Sequence, residues 1–289
     1  MQITNEDYQQ LKPLLFSLGY RMLGSAAETE DLVQETFLKA YQIDEYSIEN
    51  KKAFLCKMMT NRCLDVLKSA RYKREQYVGP WNPEPLMLDQ SADPSEHFLQ
   101  KEGLSIAYLR MMEHLTPDER AVLLLREVFD FSYSEIAETI EKKEENCRKI
   151  YSRAKHKISR VEDECLNYEK NKSIVNLFIQ AFQRGNIDDL LNLISENIIL
   201  YSDGGGKVRA AIRPIITSSN VTAFLFGIIK KHATNFSFEV KNVNGQPAII
   251  IYMNERIYCI VSFYILEGEI YEMYMTLNPE KLPEGERKK

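Results

Sequence analysis

Ser132-Tyr-Ser-Glu-Ile-Ala-Glu-Thr-Ile140, followed after a three-residue break by Glu144-Glu-Asn-Cys-Arg-Lys-Ile-Tyr-Ser-Arg-Ala-Lys-His-Lys-Ile158, reads as two helices joined by a short turn. In the second helix Cys147, Ile150, Tyr151, Ala154 and Ile158 recur at helical spacing, which leaves Arg148, Lys149, Ser152, Lys155 and His156 facing outward. This is a helix-turn-helix layout, whose second helix enters a DNA major groove with its N-terminal half against base edges. Arg148 and Lys149 suit guanine O6 and N7, Ser152 a base or a phosphate, and Arg153 and Lys157 phosphate. Glu144 and Glu145 either accept from cytosine N4 or complement the helix dipole, the second being the plainer reading. The turn is unusual, because Glu141 and Lys142-Lys143 stand where a glycine and a Ser or Thr cap are common. A solvated basic amphipathic helix is the alternative for the segment taken alone.

The charge distribution points the same way. The chain has 289 residues and a formal net charge of −5, yet Lys51–Gln76 and Lys142–Arg160 each carry eight basic and two acidic side chains, so the rest totals −17. Two local phosphate-facing surfaces on an acidic protein fit two separate DNA contacts better than uniform coating of nucleic acid. No apolar run reaches the length of a membrane span and the acidic N-terminus is unlike a signal peptide, so a cytoplasmic location and no membrane partner are expected. Five cysteines without a Cys-x-x-Cys pair or nearby histidines support neither a disulfide framework nor a metal site, and no cofactor is expected.

Organisation follows from periodicity. Residues 1–75 read as an all-helical domain, with Leu32, Val33, Phe37 and Tyr41 on one stripe and Leu55, Met58, Met59, Cys63, Val66 and Leu67 on another. Residues 76–103, beginning Tyr77-Val-Gly-Pro-Trp-Asn-Pro-Glu-Pro-Leu86, read as a Pro-rich, extended linker. A second helical domain spans 104–166, with Thr116-Pro-Asp-Glu119 as a helix start and Asn167–Lys172 as a charged joint after it. Residues 167–289 form an α+β domain: helices Ile174–Arg184 and Ile187–Ile194, then strands including Ile198–Ser202, Ala248–Met253, Ile257–Leu266 and Ile270–Thr276, with turns at Asn254-Glu255 and Glu267-Gly268. These strands are apolar on both faces, so a face covers helices or lines a cavity.

Gly24-Ser-Ala-Ala-Glu-Thr-Glu-Asp-Leu-Val-Gln-Glu-Thr-Phe-Leu-Lys-Ala-Tyr41 resembles the polymerase-binding helix of bacterial sigma factors of the sigma-70 family. Together with Phe54–Leu67 and Ser152-Arg-Ala-Lys155, it looks like an extracytoplasmic-function sigma factor with the two essential domains. The resemblance implies that residues 1–75 bind core RNA polymerase and the −10 element and that 104–166 bind the −35 element. It implies docking on the clamp of the largest subunit through Asp31, Gln34 and Glu35, with the flap region as a further polymerase contact. For the melted −10 strand, Asn61, Arg62, Asp65, Lys68 and Arg71 are the candidates: amide and carboxylate groups for base edges, basic groups for the backbone. The loop before this helix, with Asp44, Ser47 and Asn50, is a further candidate.

The C-terminal domain resembles the SnoaL-like cone fold, and Leu190–Lys207, ending Tyr201-Ser-Asp-Gly-Gly-Gly-Lys207, looks like the sigma subgroup with such a fused extension. An aromatic and proline motif in the linker, including Trp81 and Pro83, and Asn278-Pro-Glu-Lys-Leu282 near the C-terminus agree with it, although Asn82 stands where a larger apolar residue is usual. The implied role is regulation in cis, with a regulatory set of Trp81, Pro83, Asp203, Gly204, Gly205, Gly206, Lys207, Asn278, Pro279, Lys281 and Leu282, no separate anti-sigma partner and a monomeric free chain. Gly204-Gly205-Gly206 fits an interdomain loop better than an anion nest. Two other readings compete: a helix-turn-helix regulator acting without polymerase, and an enzyme using Asp203 or His232 in the cone. The second is disfavoured because His232 is the domain's single histidine.

Overall fold

Thr4, Ser25, Thr116 and Ser132 each turn a side-chain oxygen onto the third backbone N–H beyond them, and a helix starts at each. The structure, a computed structural model, describes residues 3–43, 50–75, 77–87, 104–158, 167–232 and 236–283, and at the helix ends 70–75 and 229–232 the backbone alone. The described helices are α1 (Asn5–Leu23), α2 (Ala26–Ala40), α3 (Lys51–Glu75), α4 (Ile106–Met112), α5 (Pro117–Glu127), α6 (Tyr133–Thr139), α7 (Glu144–Ile158), α8 (Tyr168–Arg184), α9 (Ile187–Leu191) and α10 (Ser218–His232). The strands are β1 (Ile194–Asp203), β2 (Ile215–Ile216), β3 (Phe236–Val243), β4 (Gln246–Met253), β5 (Arg256–Leu266) and β6 (Glu269–Thr276).

The chain divides into two compact units, one of residues 1–75, 91–104 and 109–160, the other of 76–90, 105–108 and 161–289. In the first, α1, α2 and α3 pack together around Leu15, Leu18, Phe37, Leu55, Met59 and Cys63, all essentially inaccessible. Cys56 and Cys63 behave as small buried hydrophobes; burial pushes the Cys56 thiol up to about 12. On α3 the buried stripe takes Cys56, Thr60 and Leu64 in place of the expected Met58 and Val66, which are half-buried. Helices α5, α6 and α7 form a second packed group, and Arg120 of α5 is buried where its guanidinium donates to the carbonyl of Met22 and lies 3.1 Å from Glu113.

In the second unit a six-stranded sheet runs β2-β1-β6-β5-β4-β3, with β1 parallel to β6 and every other pair antiparallel. Three two-residue hairpin loops, Asn244-Gly245, Asn254-Glu255 and Glu267-Gly268, hold both residues at positive φ, matching the strand twist. Helix α8 begins at Tyr168, capped by Asn167, so the expected charged joint 167–172 is helix; Asn171 is buried in it, 3.0 Å from Gln246. Ile194 opens β1 rather than closing a helix.

The concave face buries Ile249, Val261, Met273 and Met275 under Phe178 of α8 and Leu225 of α10, with Phe178 meeting Phe263 edge-on at 5.6 Å. The convex face buries Val243, Ala248, Ile250, Tyr252 and Ile260 against Met87 and Leu282, contributed by the segment 77–87 and the C-terminal turn. Both faces of the sheet are therefore occupied, which explains strands apolar on both sides.

Candidate functional site

Helix α2 buries Thr29, Leu32, Val33, Thr36, Phe37 and Ala40, and this 3.6-residue rhythm leaves Asp31, Gln34 and Glu35 exposed together. Leu38 completes that face at 63% exposure. An apolar side chain so open, beside a carboxylate and an amide, is the part of the surface that the motif reading missed; its signal is the i, i+3, i+4, i+7 spacing from Asp31.

Helix α3 exposes Asp65 and Lys68 and holds Asn61 and Arg62 half-buried. Arg62 lies 3.9 Å from Glu35, so the candidate polymerase face and the candidate −10 face meet at one loose ion pair. The side chain of Arg71 lies outside the described residues, as do Asp44 and Ser47 of the preceding loop. Asn50 caps α3, its Oδ1 accepting from the Ala53 N–H at 3.1 Å.

Helix α7 buries Cys147, Ile150 and Ala154, and Arg148, Lys149, Ser152, Arg153 and Lys157 are all exposed. Their partners differ. Arg148 and Lys149 pair with Glu144 and Glu145 one turn back, each at 2.6 Å, and Arg148 also stacks 4.4 Å over the Tyr133 ring. Lys157 reaches both carboxylate oxygens of Glu119 at 2.9 and 2.7 Å, tying the end of α7 to the capping box of α5. Burial raises the Glu119 carboxyl, and the hydrogen bonds from Lys157 and Thr116 outweigh it, holding the group below the usual glutamate value. The turn before α7 has Glu141 at φ 55, the left-handed conformation a glycine usually supplies, and the Lys142 N–H closes the helix end on Ala137 O at 3.0 Å.

In the second unit one buried carboxylate gathers the linker, the triple-glycine loop and the C-terminal turn. Asp203, 0% exposed at the end of β1, accepts from the Tyr77 hydroxyl at 2.6 Å, the Asn82 N–H at 2.8 Å, Lys281 Nζ at 2.8 Å and the Gly205 N–H at 3.0 Å. Lys281 also donates to Asn82 O at 2.6 Å and lies 4.2 Å from the Trp81 ring centroid and 5.1 Å from that of Tyr77. Asn278 donates to the Tyr77 hydroxyl at 3.1 Å, and its own N–H is held by Asp203 O at 2.9 Å. Burial first, then the Asp203 carboxylate, pushes the Tyr77 hydroxyl far above the ordinary tyrosine value, so it remains a donor.

The rest of the set surrounds this group. Pro83 and Gly204 are buried, Leu282 packs on the convex core, and Lys207 pairs with Glu280 while Gly206 and Pro279 are exposed. Gly205, at φ 59, sits so close to the Asn278 amide that a Cβ there would collide with it. Tyr77, Asn82 and Asn244 lie outside the regulatory set expected from the sequence, yet Asn82 bonds Asp203, Met275 O and Lys281, and Asn244 exchanges two 2.9 Å bonds with Leu86. The Asn244-Gly245 dipeptide is a legible hairpin signal for β3, and the one mark on Asn82 is its departure from the apolar residue usual in the linker motif.

The fold is that of a multidomain protein with a helix-turn-helix in its first unit. The family model described as Sigma-70 region 2 matches residues 8–72, and that described as Sigma-70, region 4 matches 105–158. The chain is 26% identical to the ECF RNA polymerase sigma factor SigJ of Mycobacterium tuberculosis, over 95% of this chain and 92% of that one, and 27% identical to the probable ECF sigma factor SigI of the same organism, over 93% and 91%. It is similar in structure to the crystal structure of M. tuberculosis SigJ, with a TM-score of 0.78 at 24% identity, covering 96% of this chain and 98% of that chain.

The chain carries two sigma-70 family domains, regions 2 and 4, followed by an α+β domain, and is similar over nearly its whole length to extracytoplasmic-function sigma factors. Its class of partner is core RNA polymerase and promoter DNA. Among the described residues no helix is long and apolar enough to cross a membrane.

Proposed function

We propose that this sigma factor is controlled in cis by its C-terminal domain through the Asp203 clamp. The observation that carries the reading is that a single buried carboxylate holds the start of the 76–103 linker, where Tyr77 and Asn82 lie, and Lys281 of the turn after β6. The linker leads toward the −35-binding domain, so fixing its first residues restricts the positions that domain reaches. Two weak DNA contacts gain affinity from being joined when the connection lets both engage, and a shortened free connection changes that effective concentration.

Within the same reading, Asp31, Gln34, Glu35 and Leu38 dock on the polymerase clamp. Asn61, Arg62, Asp65, Lys68 and Arg71 hold the opened −10 strand; Arg148, Lys149, Ser152, Arg153 and Lys157 contact the −35 duplex, with the flap region of polymerase behind it. The proposed boundaries are 1–75, 76–103, 104–166 and 167–289, and the free chain is monomeric, cytoplasmic and independent of a separate anti-sigma protein.

The test is promoter-dependent initiation in vitro with core polymerase, comparing the full chain, a chain ending at Leu166 and the full chain carrying Asp203→Asn. A changed initiation rate in both variants supports cis control, and equal initiation by all three removes it. Failure of every form to associate with core polymerase would leave only a stand-alone DNA-binding role.

A further inference from the structure

Beneath α8 and α10 the concave face of the sheet encloses a cavity of about 680 Å³, within the size range of sites for small organic ligands. Phe178, Phe182, Phe224, Ile251, Met273 and Met275 are among its lining residues. Ser202 is also in the lining, 2% exposed, with its Oγ buried and without a hydrogen-bond partner among the described residues. A buried hydroxyl left unpaired costs about 1–3 kcal/mol, and rotation of this side chain onto a ligand oxygen or N–H in the cavity would recover that. The single formal charge among the lining residues is Arg209, which is exposed at the mouth with Gln183 and is in no ion pair among the described residues. Burial pushes the Cys259 thiol up, so it adds no charge inside.

We infer that this cavity binds an apolar carboxylic acid, its body in the cone against Ser202 and its carboxylate at Arg209, and that occupancy is transmitted to the linker clamp. Transmission follows from strand geometry. Successive side chains of β1 point to opposite faces, so Ser202 lines the cavity while Asp203 holds Tyr77, Asn82 and Lys281 on the other side. The neighbouring strand β6 and the residue after it repeat the arrangement: Met275 and Leu277 line the cavity, Met275 O accepts from Asn82 Nδ2 at 3.2 Å, and the Leu277 N–H is held by Asp203 O at 2.8 Å. A ligand that shifts the ends of β1 and β6 therefore acts directly on the bonds that retain residues 77–82. The ligand site rests on the cavity alone, while its effect on transcription rests on the cis control proposed above.

The experiment uses the full chain and dodecanoate as probe, followed by calorimetry and by displacement of anilinonaphthalene sulfonate, with dodecan-1-ol as the uncharged comparison. Saturable binding of one dodecanoate per chain, tighter than dodecan-1-ol, is expected. Ser202→Ala should weaken it about 3–10-fold. Arg209→Ala should abolish the advantage of the acid over the alcohol. Gly227→Phe fills the mouth from α10, where a Cβ meets nothing within 4 Å, and should weaken binding more than tenfold while the unfolding temperature holds. Hydrogen exchange of the Asn82 amide should change on binding.

Absence of saturable binding, binding that Gly227→Phe leaves intact, or equal affinity for acid and alcohol overturns the site as stated. An unchanged Asn82 amide overturns the transmission. If dodecanoate binds while full-length and truncated chains initiate equally, cis control fails and the site stands; if Asp203→Asn alters initiation without any binding, the reverse holds.

Discussion

Lys281 Nζ stands 2.8 Å from Asp203 Oδ2, and the carboxylate it meets is wholly buried. A buried pair adds little net stability over apolar replacements, but removing one partner strands the other and costs about 3–5 kcal/mol. Asp203→Ala, which also orphans the Tyr77 hydroxyl and the Asn82 N–H, should therefore lower the stability of the C-terminal unit by about 3–5 kcal/mol, measured by denaturant unfolding of the full chain. A double change to Asp203→Leu and Lys281→Met should cost less than Asp203→Ala alone; a greater cost would mean that the clamp itself supplies net stability.

Glu141 holds a left-handed backbone that a side chain makes costly by about 1–2 kcal/mol, partly offset because glycine loses more freedom on folding. Glu141→Gly should stabilise the helical unit by up to about 1 kcal/mol, seen as a rise in thermal midpoint. A fall would show that Glu141 makes a contribution beyond its backbone shape.

The Glu119 carboxyl is held below its ordinary value of 4.5 in the folded chain, with Lys157 and Thr116 as donors. Since the folded value is the lower one, the unfolded chain takes up the proton first as pH falls. This contribution is complete above about pH 4.5 and is lost as pH drops through the folded value. Glu119→Gln should flatten that part of the stability profile between pH 3 and 6, and Lys157→Met should flatten it partly; an unchanged slope in both would show that the tether is not populated in solution.

Arg153 is exposed on α7 among groups already paired with glutamates. Its removal should reduce the slope of log affinity against log salt by about one for −35 duplex binding by the holoenzyme, with stability unchanged. Lys157→Ala should instead lower stability as well, because it breaks the bond to Glu119. Anisotropy titrations at several salt concentrations separate the two.

Leu38 is 63% exposed on the face shared by Asp31, Gln34 and Glu35. Leu38→Ser should weaken association with core polymerase about tenfold, the size expected for one apolar anchor, without lowering the thermal midpoint. A loss of stability with unchanged affinity would assign the residue to packing.

Much of the helical half was legible because its determinants are local. Thr116-Pro-Asp-Glu119 and Ser132 with Glu135 state helix starts within four residues, and Cys147, Ile150 and Ala154 state which face of α7 is inside. The same logic identified the loops Asn254-Glu255 and Glu267-Gly268, while β3 was missed although Asn244-Gly245 marks its turn. The alternating charge on α7 showed a basic surface, but its pairing with Glu119, Glu144 and Glu145 depends on side-chain reach.

The sequence by itself determined the helices, the order of the sigma regions and the two basic stretches, since periodicity, caps and charge act over a few residues. Only the tertiary structure decided what the start of the linker touches. Tyr77 and Asn82 lie 126 and 121 residues from Asp203, and Lys281 lies 78 beyond it. A carboxylate is left stable without water only where donors from such distant positions converge on it, and that convergence is fixed by how β1, β6 and the C-terminal turn pack, which no local pattern encodes.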